Sequence, residues 1–149
     1  MIAVNTSFRL CPSANILYAQ DEIWWRHYMP EVKKSFAGEL WSVNTIPGVK
    51  RVWFHRHCLN SGAGAIALAA KLGALKVFLL GYDAQQTGGR AHWHADHPPK
   101  MGNAGVTEQW PAQFAELRSW LDHRVDVINL SRATAIRCFR RGRVEDFLA

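Results

Sequence analysis

The run His92-Trp93-His94-Ala95-Asp96-His97-Pro98 places three imidazoles within six residues. Neutral histidine is only moderately buried and needs partners, so such a run belongs to a polar site or a solvated loop rather than to a core. Two chemistries fit it. With Asp83 or Asp96 as a further ligand, His92, His94 and His97 could hold a divalent transition metal such as zinc. Alternatively, one histidine is a general base with its charge set near neutral pH, and the others touch a phosphate or sugar. Metal spacing usually comes with a clearer fourth ligand, which favours acid/base work or substrate contact. His57 is a weaker candidate for the same pocket.

A second constellation is Asn60-Ser61-Gly62-Ala63-Gly64. Small residues let backbone approach a ligand closely, and a helix N-terminus favours a phosphate. Ser61 can add a hydroxyl donor. The competing reading is a plain cap with small residues for close helix–sheet packing. The third is Gly81-Tyr82-Asp83. An acid ending a core strand can accept from a sugar hydroxyl, help hold a metal, or simply cap a turn.

These residues need a frame, and the hydrophobic pattern supplies one. Short apolar runs at 1–5, 16–19, 40–43, 49–54, 76–80 and 125–130 read as strands. Asp21 can cap a helix over 22–28 that Met29-Pro30 closes, and a Pro47-Gly48 turn parts two of the strands. Asn60-Ser61-Gly62 opens a helix of small residues over 63–72, with Gly73 at its C-cap. Helix 108–122 carries Trp110, Phe114, Leu117 and Leu121 at helical spacing. The segment 84–106 is a long Gly-, His- and Pro-rich loop, a kind that is usually functional. The tail, 133–149, has no clear period and admits a short strand followed by a helical turn. Strands alternating with helices predict one α/β domain over 1–149, a mostly parallel sheet with helices on both faces. Ligands of such sheets bind at the strands' carboxyl ends. Asn5, Asp21, Asn60, Ser61, Asp83, Asn129 and Ser131 should therefore gather at one edge.

Composition narrows the partners. The chain has 149 residues, 48% apolar and 20% charged, which fits one ordered domain and excludes a disordered tail. The net charge of +6 suits a protein that handles anions. Six arginines (124, 132, 137, 140, 141 and 143) face only Asp126, Glu145 and Asp146 from residue 124 onward. The longest apolar run, 63–70, is far short of the ~20 residues that span a bilayer. No basic segment precedes an apolar one near the start, so no secretory signal is expected. Cys11, Cys58 and Cys138 are scattered, which fits a reducing cytoplasm. With neither a helix-turn-helix nor a basic–aromatic stripe, nucleic acid is not an expected partner.

Several of these motifs occur together elsewhere. Ala3-Val4-Asn5, Tyr18-Ala19-Gln20-Asp21 with Trp24-Trp25, Asn60-Ser61-Gly62 with 65–69, Leu72-Gly73, Leu79-Leu80-Gly81-Tyr82-Asp83 and the 92–97 run carry the likeness. Over nearly its whole length the chain resembles a family of small phage and prophage proteins. These belong to the group related to archaeal 6-hydroxymethylpterin diphosphokinase, itself similar in fold and motif layout to bacterial lipooligosaccharide sialyltransferases. The resemblance implies a Rossmann-like domain. It also implies a nucleotide donor contacted by Asn5, Ser61 and Gly62, and a base that falls on His94 or His97. Relatives begin with a strand and a Gly-x-Gly-Pro-Ser loop that binds the nucleotide phosphates. Here Met1 stands almost at the second strand and that loop is absent. The expectation is an open sheet edge at 1–5, which a second copy could cover, and a gap in the phosphate site.

The leading expectation is a cytoplasmic nucleotide- or nucleotide-sugar-binding domain, in the host cell if phage-encoded, that transfers a glycosyl or diphosphoryl group. Its pocket would comprise Asn5, Asn60, Ser61, Gly62, Asp83 and the histidine loop. A divalent metal is an optional cofactor. A degenerate, non-catalytic nucleotide-binding protein is the alternative, favoured by the absent glycine loop. A metal-dependent hydrolase built on His92, His94 and His97 is the weaker one.

Overall fold

A computed structural model describes residues 1–85 and 107–147. By its own contacts the chain divides into two compact units, 1–69 and 70–149. Among the described residues every strand pair in either unit is parallel. The alternating helices and parallel strands make this an α/β fold of the Rossmann-like class. Strand pairing forms two sheets, one in each unit. No helix among the described residues is long and apolar enough to cross a membrane.

The first unit holds β1 (Ile2–Val4), β2 (Ile16–Tyr18), β3 (Glu39–Ser42) and β4 (Lys50–Arg51), in the order β1-β2-β3-β4. Its register sets Ala3 beside Leu17, Leu17 beside Leu40, and Trp41 beside Lys50. That register brings the carboxyl ends of β1, β2 and β3 to one edge. Neighbouring residues of a strand face opposite sides. Tyr18 faces helix α2 (Ser61–Lys71), in a cluster with Val52, Ala65 and Leu68. Leu17, on the other face, is equally buried.

Helix α1 (Glu22–Ser35) runs well past the 22–28 expected from the sequence, straight through Pro30. Proline removes one helical hydrogen bond and crowds the preceding turn. The apolar stripe outweighs that cost: Trp24, Trp25, Tyr28 and Val32 are buried on either side of Pro30, and Phe36 is buried just beyond the last turn. Strand β4 is shorter than the expected 49–54. Val52 still donates to the Ser42 carbonyl at 2.8 Å. Beyond it β3 offers no further residue to pair, because the Ser42 hydroxyl accepts the Asn44 N–H and turns the chain. A 3-10 turn over Asn5–Arg9 follows β1 directly.

Helix α2 begins where the sequence places its cap and stops at Gly73, whose φ of +93° suits glycine. Its small residues have a steric purpose. A Cβ added at Gly64 would lie 2.6 Å from the Tyr18 ring, so only glycine lets helix and strand approach this closely.

The second unit holds β5 (Lys76–Leu79), α3 (Trp110–Trp120), β6 (Asp126–Asn129) and β7 (Arg140–Arg141), with sheet order β5-β6-β7. Pro111 sits in the first turn of α3, where its missing N–H costs nothing. The helix ends one residue short of Leu121, whose backbone is extended. The tail resolves into the short β7 and a 3-10 turn over Val144–Asp146.

Candidate functional site

The carboxyl edge of the first sheet carries a cluster of polar side chains. Asn5 follows β1 with a left-handed φ of +50°, a conformation asparagine tolerates better than most residues. Its side-chain oxygen is buried and has no partner among the described residues. Gln20 follows β2. Its backbone N–H donates to the Ser61 hydroxyl at 3.0 Å, and its carbonyl accepts from the Asn44 amide at 2.7 Å. The Gln20 side-chain oxygen is also buried without a partner among the described residues. Ser42 ends β3, fully buried, and its hydroxyl reaches the same Gln20 carbonyl at 3.5 Å.

The start of α2 completes the edge. The Asn60 side-chain oxygen accepts the Ala63 N–H at 2.8 Å, and the Asn60 carbonyl accepts the Gly64 N–H at 3.0 Å. Asn60 is thus the N-cap, and two of the helix's leading N–H groups are already satisfied within the chain. Ser61, also buried, takes the Gln20 N–H as an acceptor, and its hydroxyl proton has no acceptor among the described residues. Gly62 lies half-buried in the same turn. Beneath this turn the Tyr18 hydroxyl is buried and has no partner among the described residues. Burial pushes it above the usual phenol range, and Cys58 and Asp21 nearby push it further. No acidic residue occurs between 40 and 82 in the sequence, although Asp21 lies near Tyr18 and Glu39 pairs with Lys50.

Of the residues singled out by sequence, Asn5, Asn60, Ser61 and Gly62 therefore stand on this edge. Asp83 belongs to the second unit, at the end of β5, where its carbonyl accepts the Ala135 N–H at 2.8 Å. Around it the ends of β5 and β6 are tied by a saturated network. The Tyr82 N–H donates to the Ser131 hydroxyl at 2.7 Å, and the Tyr82 carbonyl accepts from the Thr134 hydroxyl at 2.6 Å. Asn129, wholly buried, donates to both the Tyr82 carbonyl and Thr134 and accepts the Ser131 N–H. Arg141 donates to the Ser131 and Arg132 carbonyls. His92, His94 and His97 lie outside the described residues, as does Asp96. Among the described residues no three histidine, cysteine or acidic side chains come together as metal ligands.

Gln20, Ser42 and Asn44 were not singled out by sequence reasoning. The available signal was position: each lies at or just beyond the last residue of a strand. Among the described residues, open depressions elsewhere include one lined by 118–124 and one by Pro12, Asn15, Gly38 and Glu39 at the amino ends of β2 and β3. Neither involves the polar edge. Compared with family models, curated proteins and solved structures, the chain matches none.

Proposed function

We propose that the chain binds a nucleotide or nucleotide-sugar at the carboxyl edge of β1, β2 and β3, as the donor site of a glycosyl- or diphosphoryl-transfer domain. One observation carries this reading. The Gln20–Ser61 hydrogen bond joins a strand end to a helix start, and two buried amide oxygens on the same edge, on Asn5 and Gln20, lack partners among the described residues. Buried polar groups are nearly always paired, so this edge suits a ligand rich in hydroxyl or amine donors. The helix end and the net charge of +6 suit its phosphates.

In this reading a base takes the proton of an acceptor hydroxyl, the role that the resemblance gives to His94 or His97. The acceptor oxygen then bonds to the transferred carbon or phosphorus as the bond to the nucleotide breaks, and the electron pair leaves with the nucleotide phosphate. A divalent ion would serve only to offset phosphate charge. The setting is the cytoplasm, the host's if the protein is phage-encoded.

Melting curves with a panel of nucleotides and nucleotide-sugars, with and without magnesium or manganese, test the donor site. A ligand at ~100 times its Kd adds about 2.7 kcal/mol, or roughly 5–10 °C for a chain of this size. Gly62→Val should stay folded and lose that shift. A variant that shifts as much as the wild type, or a panel with no shift at all, overturns the reading. Binding without transfer to any acceptor would favour the non-catalytic alternative.

A further inference from the structure

Arg51 ends β4, the last strand in its sheet's order, and residues 52–57 continue from it without regular secondary structure. Burial alternates along this run: Arg51 exposed, Val52 buried, Trp53 exposed, Phe54 half-buried, His55 exposed. Val52 belongs to the apolar cluster with Tyr18, Ala65 and Leu68, and Phe54 packs against that cluster. Alternate residues of an extended chain point to opposite sides, so Arg51 and Trp53 lie on the side turned away from the cluster. Arg56 and His57 continue the exposed run. Trp53 keeps 68% of its surface in water, an unusual use of a side chain whose area normally dominates cores and interfaces.

The surroundings are cationic. Lys50 is offset by Glu39. The Arg51 guanidinium is steadied by donating to the Val43 carbonyl at 3.2 Å, and neither it nor Arg56 has a carboxylate partner among the described residues. Ligand pockets for small molecules are concave, whereas this run is open. An acidic peptide would match the charge and make no use of the indole face. An extended polyanion with flat bases uses both, because every base can stack on an aromatic ring while its phosphates meet cations.

We propose that this stripe binds single-stranded nucleic acid, with Trp53 stacking on a base and Arg51, Arg56 and His57 meeting the backbone. The string Arg51-Val52-Trp53-Phe54-His55-Arg56-His57 hides the stripe, because Val52 and Phe54 interrupt it in sequence. The alternation of burial takes Val52 out of the surface and turns Phe54 partly inward. The surface is separate from the donor-site reading and does not depend on it.

The test is fluorescence anisotropy with a labelled oligothymidine of about 16 nucleotides, long enough for one site, at about 50 and about 200 mM salt. Binding should weaken with salt. Trp53→Ala should weaken it roughly 5- to 150-fold, and Trp53→Phe should recover part of the loss. Circular dichroism and melting establish that each variant is folded. Trp53→Ala should also keep any nucleotide-induced melting shift, so failure of one site is told apart from failure of the other. The proposal is overturned by any of three results. They are no binding by the wild type at the lower salt, equal binding by Trp53→Ala, and displacement by a mononucleotide or polyglutamate as effective as by unlabelled oligonucleotide.

Discussion

The Tyr18 hydroxyl is buried, unpaired among the described residues and pressed against the first turn of α2. Leaving a buried hydroxyl unsatisfied costs about 1–3 kcal/mol. Tyr18→Phe removes that cost and keeps the ring, so it should raise stability by about 1 kcal/mol in urea unfolding. Gly64→Ala should act in the opposite direction. Alanine is the better helix former by about 1 kcal/mol, but its methyl would meet ring carbons of Tyr18 at 2.6 and 2.7 Å. Overpacking of that kind costs about 1–3 kcal/mol. Because ring and hydroxyl both crowd the site, Tyr18→Phe should not rescue Gly64→Ala, whereas Tyr18→Val should. A double-mutant cycle with no coupling between positions 18 and 64 would refute this account of the glycine.

At the scale of elements, α1 is held as a helix by what it buries. Pro30 deprives the Arg26 carbonyl of its helical donor, a defect of up to about 3 kcal/mol relative to alanine. Pro30→Ala should therefore stabilise the protein by about 1–3 kcal/mol, read as a higher urea midpoint with an unchanged slope. A loss of stability would mean that the bend at Pro30 is needed for packing. The same helix marks a limit of sequence reading. Local signals located β1, β2, β3, β5, β6 and α2, because apolar runs, the Asn60 cap and the Gly73 stop each act within a few residues. They misplaced the end of α1, since a proline rule is local while the burial of Val32 and Phe36 is tertiary. They overextended β4, since its length depends on where its partner ends. The polar edge divides in the same way. Asn5 and Ser61 were legible as a strand end and a helix start. Gln20, Ser42 and Asn44 join them only through the parallel register, which no short stretch of sequence encodes.

For the molecule as a whole, the strand edges are of two kinds. The end strands β4 (Lys50–Arg51) and β7 (Arg140–Arg141) are two residues long and basic, features that discourage strand-to-strand association. The opposite end strands are apolar: β1 reads Ile-Ala-Val, and β5 reads Lys-Val-Phe-Leu. Among the described residues neither has a second strand partner. If copies pair through an uncovered edge, the protein should dimerise as it is concentrated, by size-exclusion chromatography with light scattering. A monomer at every concentration would dismiss that pairing.

The parallel pairing also sets an order of events as the chain is made. Strand β2 follows β1 closely, with Ile16 pairing Ile2. In the second unit Lys76 must wait for Asp126, fifty residues later. At ~5–20 residues per second of synthesis, β5 is without its neighbour for about 2.5–10 s. Over that interval Val77, Phe78 and Leu79 form an apolar segment still lacking its sheet partner, and any factor that attends the nascent chain would meet them first.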